Sequence, residues 1–464
     1  MFDSFFDPLA ESLGFPAQTL KYLVCMLSTY PLAFFFARVH MPIPMKHLFS
    51  IVVSMFFMVF GIGPWEWVIP VASSVVVYLL LILCPRTSSH RIVFLFSMTV
   101  IVACHIYLML LRWISWDLDF TGVQMILTIK LSSIGYNLYD GYLGEKQPDP
   151  YKRAHAIKAL PTPLEYFGWL FFFPSFLTGP AIEYTEYRDY INLSMFPNKT
   201  IPSTFIPAMR PFAIAMVLFP CVAVAPSLVP PTYMITAEFG AQPFYWKIGY
   251  MWLSMCFCRF KYYYAWKISE GASNACGVGY RVEKTKEGAS EIHWDRAVNV
   301  SILPCEFPEN FHQMSKEWNV STAKWLKNYV YDRLAPPPPA RPPFHVTLAT
   351  YAVSALWHGL FPGYYFFFIF AAFGDNLGRS FRRKLRPYFL GSSTLKKFYD
   401  VAGIIVTTLT LSYAATTFVL LGGYECYDYL KNMYFIGHLE VLLAIVIMML
   451  VPSPHVPQKF VKVQ

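Results

Sequence analysis

Long apolar runs alternate with short polar interruptions along almost the whole chain. A membrane-spanning helix needs about 20 mostly apolar residues, and runs that read as such helices lie at 18–37, 47–63, 66–84, 92–114, 163–180, 204–226, 243–266, 344–373, 400–422 and 435–452. Two further segments, 121–139 and 316–334, place polar groups inside otherwise apolar patterns and read as tilted, re-entrant or interfacial helices. The pattern predicts an all-α, polytopic integral membrane protein of about eleven transmembrane or re-entrant helices. It forms one domain over residues 1–464, with C-terminal helices at about 400–452. Mixed-charge loops fall at 140–162 and 267–317, and a basic cluster, RSFRRKLR, at 379–386. The run Pro336 to Pro339, followed by Pro342 and Pro343, predicts a stiff extended connector, because proline cannot continue a helix. There is no internal repeat, which counts against an inverted-repeat transporter.

Composition agrees with lipid as the main solvent. Of 464 residues, 56% are hydrophobic and 14% charged, where a soluble domain carries about 25% charged residues. The formal charge of +9 sits in short loops between apolar runs, so the positive-inside rule and anionic lipid account for it without nucleic acid. Arg38 and Lys46 follow the first run and Arg86 and Arg91 the third, whereas the GIGPWEW turn between them holds no basic residue. Loops 38–47 and 85–91 are therefore expected in the cytosol. The acidic start, with Asp3, Asp7 and Glu11, is expected on the other side and lacks the basic n-region of a secretory signal. Most of the nine cysteines lie in or beside apolar runs, and Cys256 and Cys258 have no nearby His or Cys to complete a metal site. Neither a metal centre nor a disulfide framework is expected.

In the run 344–373, FHVTLATYAVSALWHGLFPGYYFFFIFAAF, His358 is the only ionisable side chain apart from His345 at the edge. In one continuous helix it lies roughly 20 Å from that edge, near the midplane. A full charge there costs on the order of 2.5–3.5 kcal/mol, and such residues mark functional sites by default. The plain alternative is a neutral histidine that bonds a neighbouring helix. Burial disfavours the imidazolium, which leaves a ring able to accept a proton, as a general base requires. Gly359 and Pro362-Gly363 interrupt the helical ladder, and loosened backbone at this depth is tolerated where it is buried in protein or lines a cavity. Ser354, one turn before His358 on the same face, serves either helix packing or substrate contact.

On a helical wheel of KEWNVSTAKWLKNYVYDRL, residues 316–334, Lys316, Glu317, Lys324, Lys327, Asn328 and Asp332 fall on one side. Trp318, Thr322, Leu326, Tyr329 and Val330 fall on the other, and Asn319 falls among them. A buried amide needs a partner or a purpose, interhelical hydrogen bonding being the bland one. Asn319-Val320-Ser321 also matches a glycosylation sequon, as do Asn192, Asn198 and Asn299, but an asparagine facing the interior is a poor acceptor. A buried base and a buried amide suit acyl transfer from a thioester to a hydroxyl. The base is worth about 10² to 10⁴ in rate, and an amide donor to the oxyanion roughly 10² to 10³. Neither Cys256 nor Cys258 has a neighbouring base, so no cysteine nucleophile is expected.

The segments SALWHGLFPGYY and KEWNVSTAKWL resemble the two signature segments of the membrane-bound O-acyltransferase family, in its lysophospholipid acyltransferase branch. FFFPSFLTGPAIEYTEYRDYI (171–191) and TGVQMILTIKLSSIGYNLYDG (121–141) resemble segments of the broad-specificity fungal enzymes, so the likeness covers about 90–372. The resemblance implies helices around a central chamber in the endoplasmic reticulum membrane, with His358 as catalytic base and Asn319 as its partner. It implies acyl-CoA from the cytosol as co-substrate, no other cofactor, and a lysophospholipid that arrives laterally or from the opposite leaflet. Ser354, Trp318, Trp325 and Trp357 are then expected to face substrate. Lys316, Lys324, Lys327 and the 379–386 cluster are candidates for the CoA phosphates, with a role in topology or lipid-surface contact as the alternative. Two rival readings remain. One is the sterol or diacylglycerol branch of the superfamily, which resembles an FYxDWWN segment where this chain has FHQMSKEWN; the other is a lipid scramblase or transporter. The His-x-x-x-x-Asp pair of soluble-type glycerolipid acyltransferases is absent.

Overall fold

The computed structural model describes residues 3–452 except 15, 115–117, 286–287, 338–339 and 341. Two of the connector prolines, Pro338 and Pro339, thus lie outside the described residues. A short helix α1 (Asp3–Leu13) precedes α2 (Ala17–Arg38), then α3 (Ile43–Phe57), which a π-helical turn prolongs to Ile62, α4 (Val68–Leu83), α5 (Ser89–Leu111) and α6 (Thr121–Leu143). Side-chain bonds sort the loops into two ends. Arg86 donates to the Lys158 carbonyl and Tyr78 to that of Pro161, so the basic loop 84–88 and the loop 144–162 share one end. Gln18 donates to the carbonyls of Ile62 and Leu118, which lie together at the opposite end.

The run 163–180 does not form the expected span. After α7 (Pro150–Ala154), helix α8 (Pro163–Leu170) starts at a Thr162–Glu165 capping box and stops within the core. The chain turns at Phe173–Ser175, returns to the basic end and enters α9 (Tyr184–Ile191). Pro174 and Pro180 have no N–H to extend a helix. Helix α10 (Phe205–Leu228), the short α11 (Ala237–Ala241) and α12 (Phe244–Cys276) follow. At 33 residues α12 is about 50 Å long. It outruns the apolar stretch 243–266 because its polar last turns are buried against the re-entrant segment, with Lys267 and Glu270 paired at 2.6 Å. Carbonyls freed by the re-entrant turn find donors on four helices. Lys130 Nζ reaches those of Trp169 (2.9 Å) and Leu170 (3.2 Å), Ser54 that of Phe171, Tyr22 that of Leu177 and Ser269 that of Pro174. Irregular backbone survives at this depth only with such partners.

A small antiparallel ribbon, β1 (Arg281–Lys284) and β2 (Ser290–His293), stands in the second polar loop. Beyond it, α13 (Ile302–Glu306), α14 (Phe311–Glu317), α15 (Val320–Trp325), a π-helical stretch at 326–331 and α16 (Asp332–Leu334) replace the one helix read over 316–334. The run 344–373 is likewise two helices, α17 (Phe344–His358) and α18 (Pro362–Lys384). They run antiparallel, with ring contacts from Phe344 to Phe373 (5.4 Å), Tyr351 to Phe368 (6.3 Å) and His358 to Tyr364 (5.8 Å). Helix α19 (Ser393–Leu420) crosses again, and α20 (Gly423–Asn432) meets α21 (Ile436–Leu450) at a 71° bend. Lys384 donates to the Met448 carbonyl, so α21 returns to the basic end. Among the described residues five helices are long and apolar enough to cross a membrane, and the bent pair makes a sixth.

Candidate functional site

His358 is the last residue of α17, at the tip of a hairpin and not inside a continuous span. Gly359 adopts φ +139, a conformation that disfavours any side chain. A Cβ there would lie 3.1 Å from the Tyr364 ring and 3.6 Å from His105. Fifteen residues place the imidazole about 22 Å from the start of α17. Trp357 (4.6 Å), Phe418 (5.0 Å), Phe368 (5.2 Å) and Tyr364 (5.8 Å) surround the ring, with Phe368 stacked on it. It is only half-buried, however, and it makes no hydrogen bond among the described residues. Ser354 is buried on the turn before it, and its hydroxyl likewise bonds nothing among the described residues.

Two of the tryptophans expected to face substrate are packed into the protein. Trp325 and Trp357 are 2% and 4% exposed, and their rings meet at 6.2 Å. The indole N–H of Trp325 donates to Ser132 and that of Trp357 to the Met125 carbonyl, both on α6. With their only polar groups satisfied by protein, they hold the α17 tip against α6. Trp318 is half-buried beside Tyr262 (5.6 Å), Tyr263 (5.8 Å) and Trp266 (5.0 Å). His105 of α5 was not marked by anything in its apolar run, yet its Nε2 bonds the Trp357 carbonyl at 3.0 Å.

Asn319 does not lie on the apolar face of a helix. It occupies the break between α14 and α15 with φ 45 and ψ 56, the left-handed conformation that asparagine tolerates better than most residues. The buried stretch 299–301 pairs with this break. Val320 N donates to the Asn299 carbonyl and Ser301 N to that of Glu317, while the Asn299 side chain accepts from Ser321 N and donates to Asn319 Oδ1 at 3.2 Å. Thr322 donates to the same Oδ1 at 2.9 Å. Two donors fix which atom of the amide is oxygen. Nδ2 is left with no acceptor among the described residues. Asn299, 1% exposed, is a structural partner that its sequon conceals. The segment is tied to α12 through Glu306, which accepts two bonds from Arg259 (2.7 and 2.5 Å) and one from Tyr263 (2.7 Å).

No hydrogen bond joins His358 to Asn319 among the described residues. One aromatic contact connects their segments instead, that of Trp325, on the helix that follows Asn319, with Trp357, next to His358.

At the basic end the candidate lysines separate. Lys327 is paired with Asp332 at 2.8 Å, and Lys324 is exposed. Lys316 stands with Arg379 and Arg382 around His312. Burial pushes the His312 imidazole below its ordinary range, and Asp375 pulls the other way. Part of the 379–386 cluster is neutralised within the helices, Arg379 by Asp375 (3.0 Å) and Arg386 by Asp400 (3.8 Å). Asp140 holds Arg333 through two bonds (2.8 and 2.6 Å), and Glu183 accepts from Tyr151, Asn137 and Tyr329. Both networks tie the π-helical stretch after Asn319 to the basic end of α6.

Fold and site together define a multi-pass helical membrane protein with an imidazole at a hairpin tip that has no hydrogen-bond partner among the described residues. The family model of membrane-bound O-acyltransferases, MBOAT, matches residues 18–416. The chain is 32% identical over 459 residues to a lysophospholipid acyltransferase of Schizosaccharomyces pombe, covering 95% of this chain and 88% of that protein. It is 30% identical to a lysophospholipid acyltransferase of Saccharomyces cerevisiae, with 95% and 75% covered. It is 28% identical to the membrane-bound glycerophospholipid O-acyltransferase 1 of Homo sapiens, with 98% and 94% covered. This chain belongs to the membrane-bound O-acyltransferase family.

Proposed function

We propose that this protein is a lysophospholipid acyltransferase of the endoplasmic reticulum membrane that moves a fatty acyl group from acyl-CoA to the free hydroxyl of a lysophospholipid. The observation that carries the reading is a pair of half-buried polar groups without partners among the described residues, the His358 imidazole and the Asn319 Nδ2, on two segments joined by the Trp325–Trp357 contact. The names of the relatives support the substrate class. His358 takes the proton of the lysophospholipid hydroxyl as its oxygen attacks the thioester carbonyl. Asn319 Nδ2 donates to the oxyanion of the tetrahedral intermediate. Collapse breaks the C–S bond, the proton on His358 passes to the leaving sulfur, and CoA and the diacyl phospholipid depart without an acyl-enzyme.

The basic end faces the cytosol, as its arginines and lysines require. Lys316, Arg379 and Arg382 stand where the phosphates of a cytosolic CoA approach, and the lysophospholipid enters from the bilayer. Purified protein in detergent with labelled acyl-CoA and lysophosphatidylcholine tests the reading. Diacyl product that grows with time and enzyme supports it. A preparation that moves lipid between leaflets of a vesicle yet forms no diacyl product is a transporter, and the proposal fails.

A further inference from the structure

Among the described residues His358 has no hydrogen bond of its own to set its ring, so its position is inherited from the residue before it. Trp357 is anchored twice, through its indole to α6 and through its carbonyl to His105 on α5. That carbonyl is among the last four of α17, which have no partner within the helix, because Gly359 turns the chain away. The same His105 ring lies beside Gly359, its Cγ 3.6 Å from where a Cβ would stand. One side chain therefore bonds the residue before His358 and lies beside the residue after it.

We propose that His105 is a positioning residue for His358: its Nε2–H···O=C bond to Trp357 and its place beside Gly359 hold the hairpin tip, and with it the His358 imidazole. The carbonyl can only accept, so Nε2 of His105 carries the hydrogen. The kinetic part of this proposal rests on the reading of His358 as the base; the geometric part does not.

Two variants separate donation from bulk. His105→Leu keeps the packing and removes the donor, whereas His105→Gln restores an N–H of similar reach. Sub-ångström displacement of a reacting group costs rate more than binding, so His105→Leu is expected to lower kcat at least about tenfold. KM for both substrates should stay within about twofold, and His105→Gln should recover kcat to within about threefold of wild type. Carbethoxylation of His358, followed by peptide mass spectrometry, gives a readout that needs no turnover. Its rate should change several-fold in His105→Leu and return in His105→Gln. Should the leucine variant not fold, His105→Asn, whose amide is too short to reach the carbonyl, replaces it in the same comparison. Unchanged kcat and unchanged labelling in the donor-less variant, or equal losses with and without the donor, overturn the proposal. If wild type makes no diacyl product, the acyltransferase reading falls, and the labelling result alone decides the role of His105.

Discussion

A buried polar atom without a partner is costly, and native proteins seldom keep one that nothing completes. The Nδ2 of Asn319 and the ring of His358 escape that cost because both residues are only half-buried, and among the described residues neither group has a partner. Asn299 explains why Nδ2 stays available, since it occupies Oδ1 from behind. Asn299→Ala is expected to lower kcat about tenfold, less than the roughly 10²-fold loss in Asn319→Ala, because it removes one of the two donors that hold the amide and leaves Thr322 on Oδ1. Equal kcat in Asn299→Ala and wild type would remove Asn299 from the account. Gly359→Ala forces a side chain onto a backbone of φ +139 and against Tyr364. It should destabilise the protein by about 1–3 kcal/mol, read as thermal unfolding in detergent. His358 was legible in the string, as an ionisable group deep in an apolar run beside Gly and Pro; His105 sits in such a run too, but without that punctuation it passed unnoticed. Asn299 was not legible either, because its sequon suggests exposure and its bonds join residues twenty positions apart.

At the scale of elements, the same apolar run that exposed His358 hid its setting. Gly359 and Pro362-Gly363 mark a break, but a kink and a hairpin share that punctuation. The choice depends on the end of α19, where the carbonyl of Leu421, just past the helix, accepts from Gly363 N at 2.8 Å. The helix read over 316–334 failed for another reason. Asn319 turns left-handed with no Gly or Pro nearby, so the periodicity carries across a break that the buried 299–301 stretch imposes. Run length also mistook the re-entrant 163–180 for a span, since hydropathy does not register the donors waiting on other helices. The Asp140–Arg333 pair, joining α6 to α16, tests how firmly these broken pieces are held. Arg333→Met leaves a buried carboxylate uncompensated and should cost about 3–5 kcal/mol. The double variant with Asp140→Leu should recover most of that in the same thermal assay, and an Arg333→Met protein as stable as wild type would contradict the role of the pair.

Over the whole molecule, two ends of opposite character frame the hairpin tip. Asn192 and Asn198 lie exposed beyond α9, which the Tyr187–His47 bond fixes to the basic end of α3. If that end is cytosolic, both sequons stay unmodified, and glycosidase digestion of the expressed protein leaves its mobility unchanged. A shift that disappears in Asn198→Gln would invert the orientation. The class of fold was legible from run length and charge alone; the paths of 163–180 and 344–373 were not, because both runs double back. Everything functional converges on the His358 imidazole, and one measurement addresses it most directly: diacyl product formed by purified His358→Ala beside wild type, with acyl-CoA binding measured on the same preparations. The account predicts that the variant binds acyl-CoA as wild type does and forms no product above the enzyme-free rate. Turnover near wild type in a folded His358→Ala protein would contradict it.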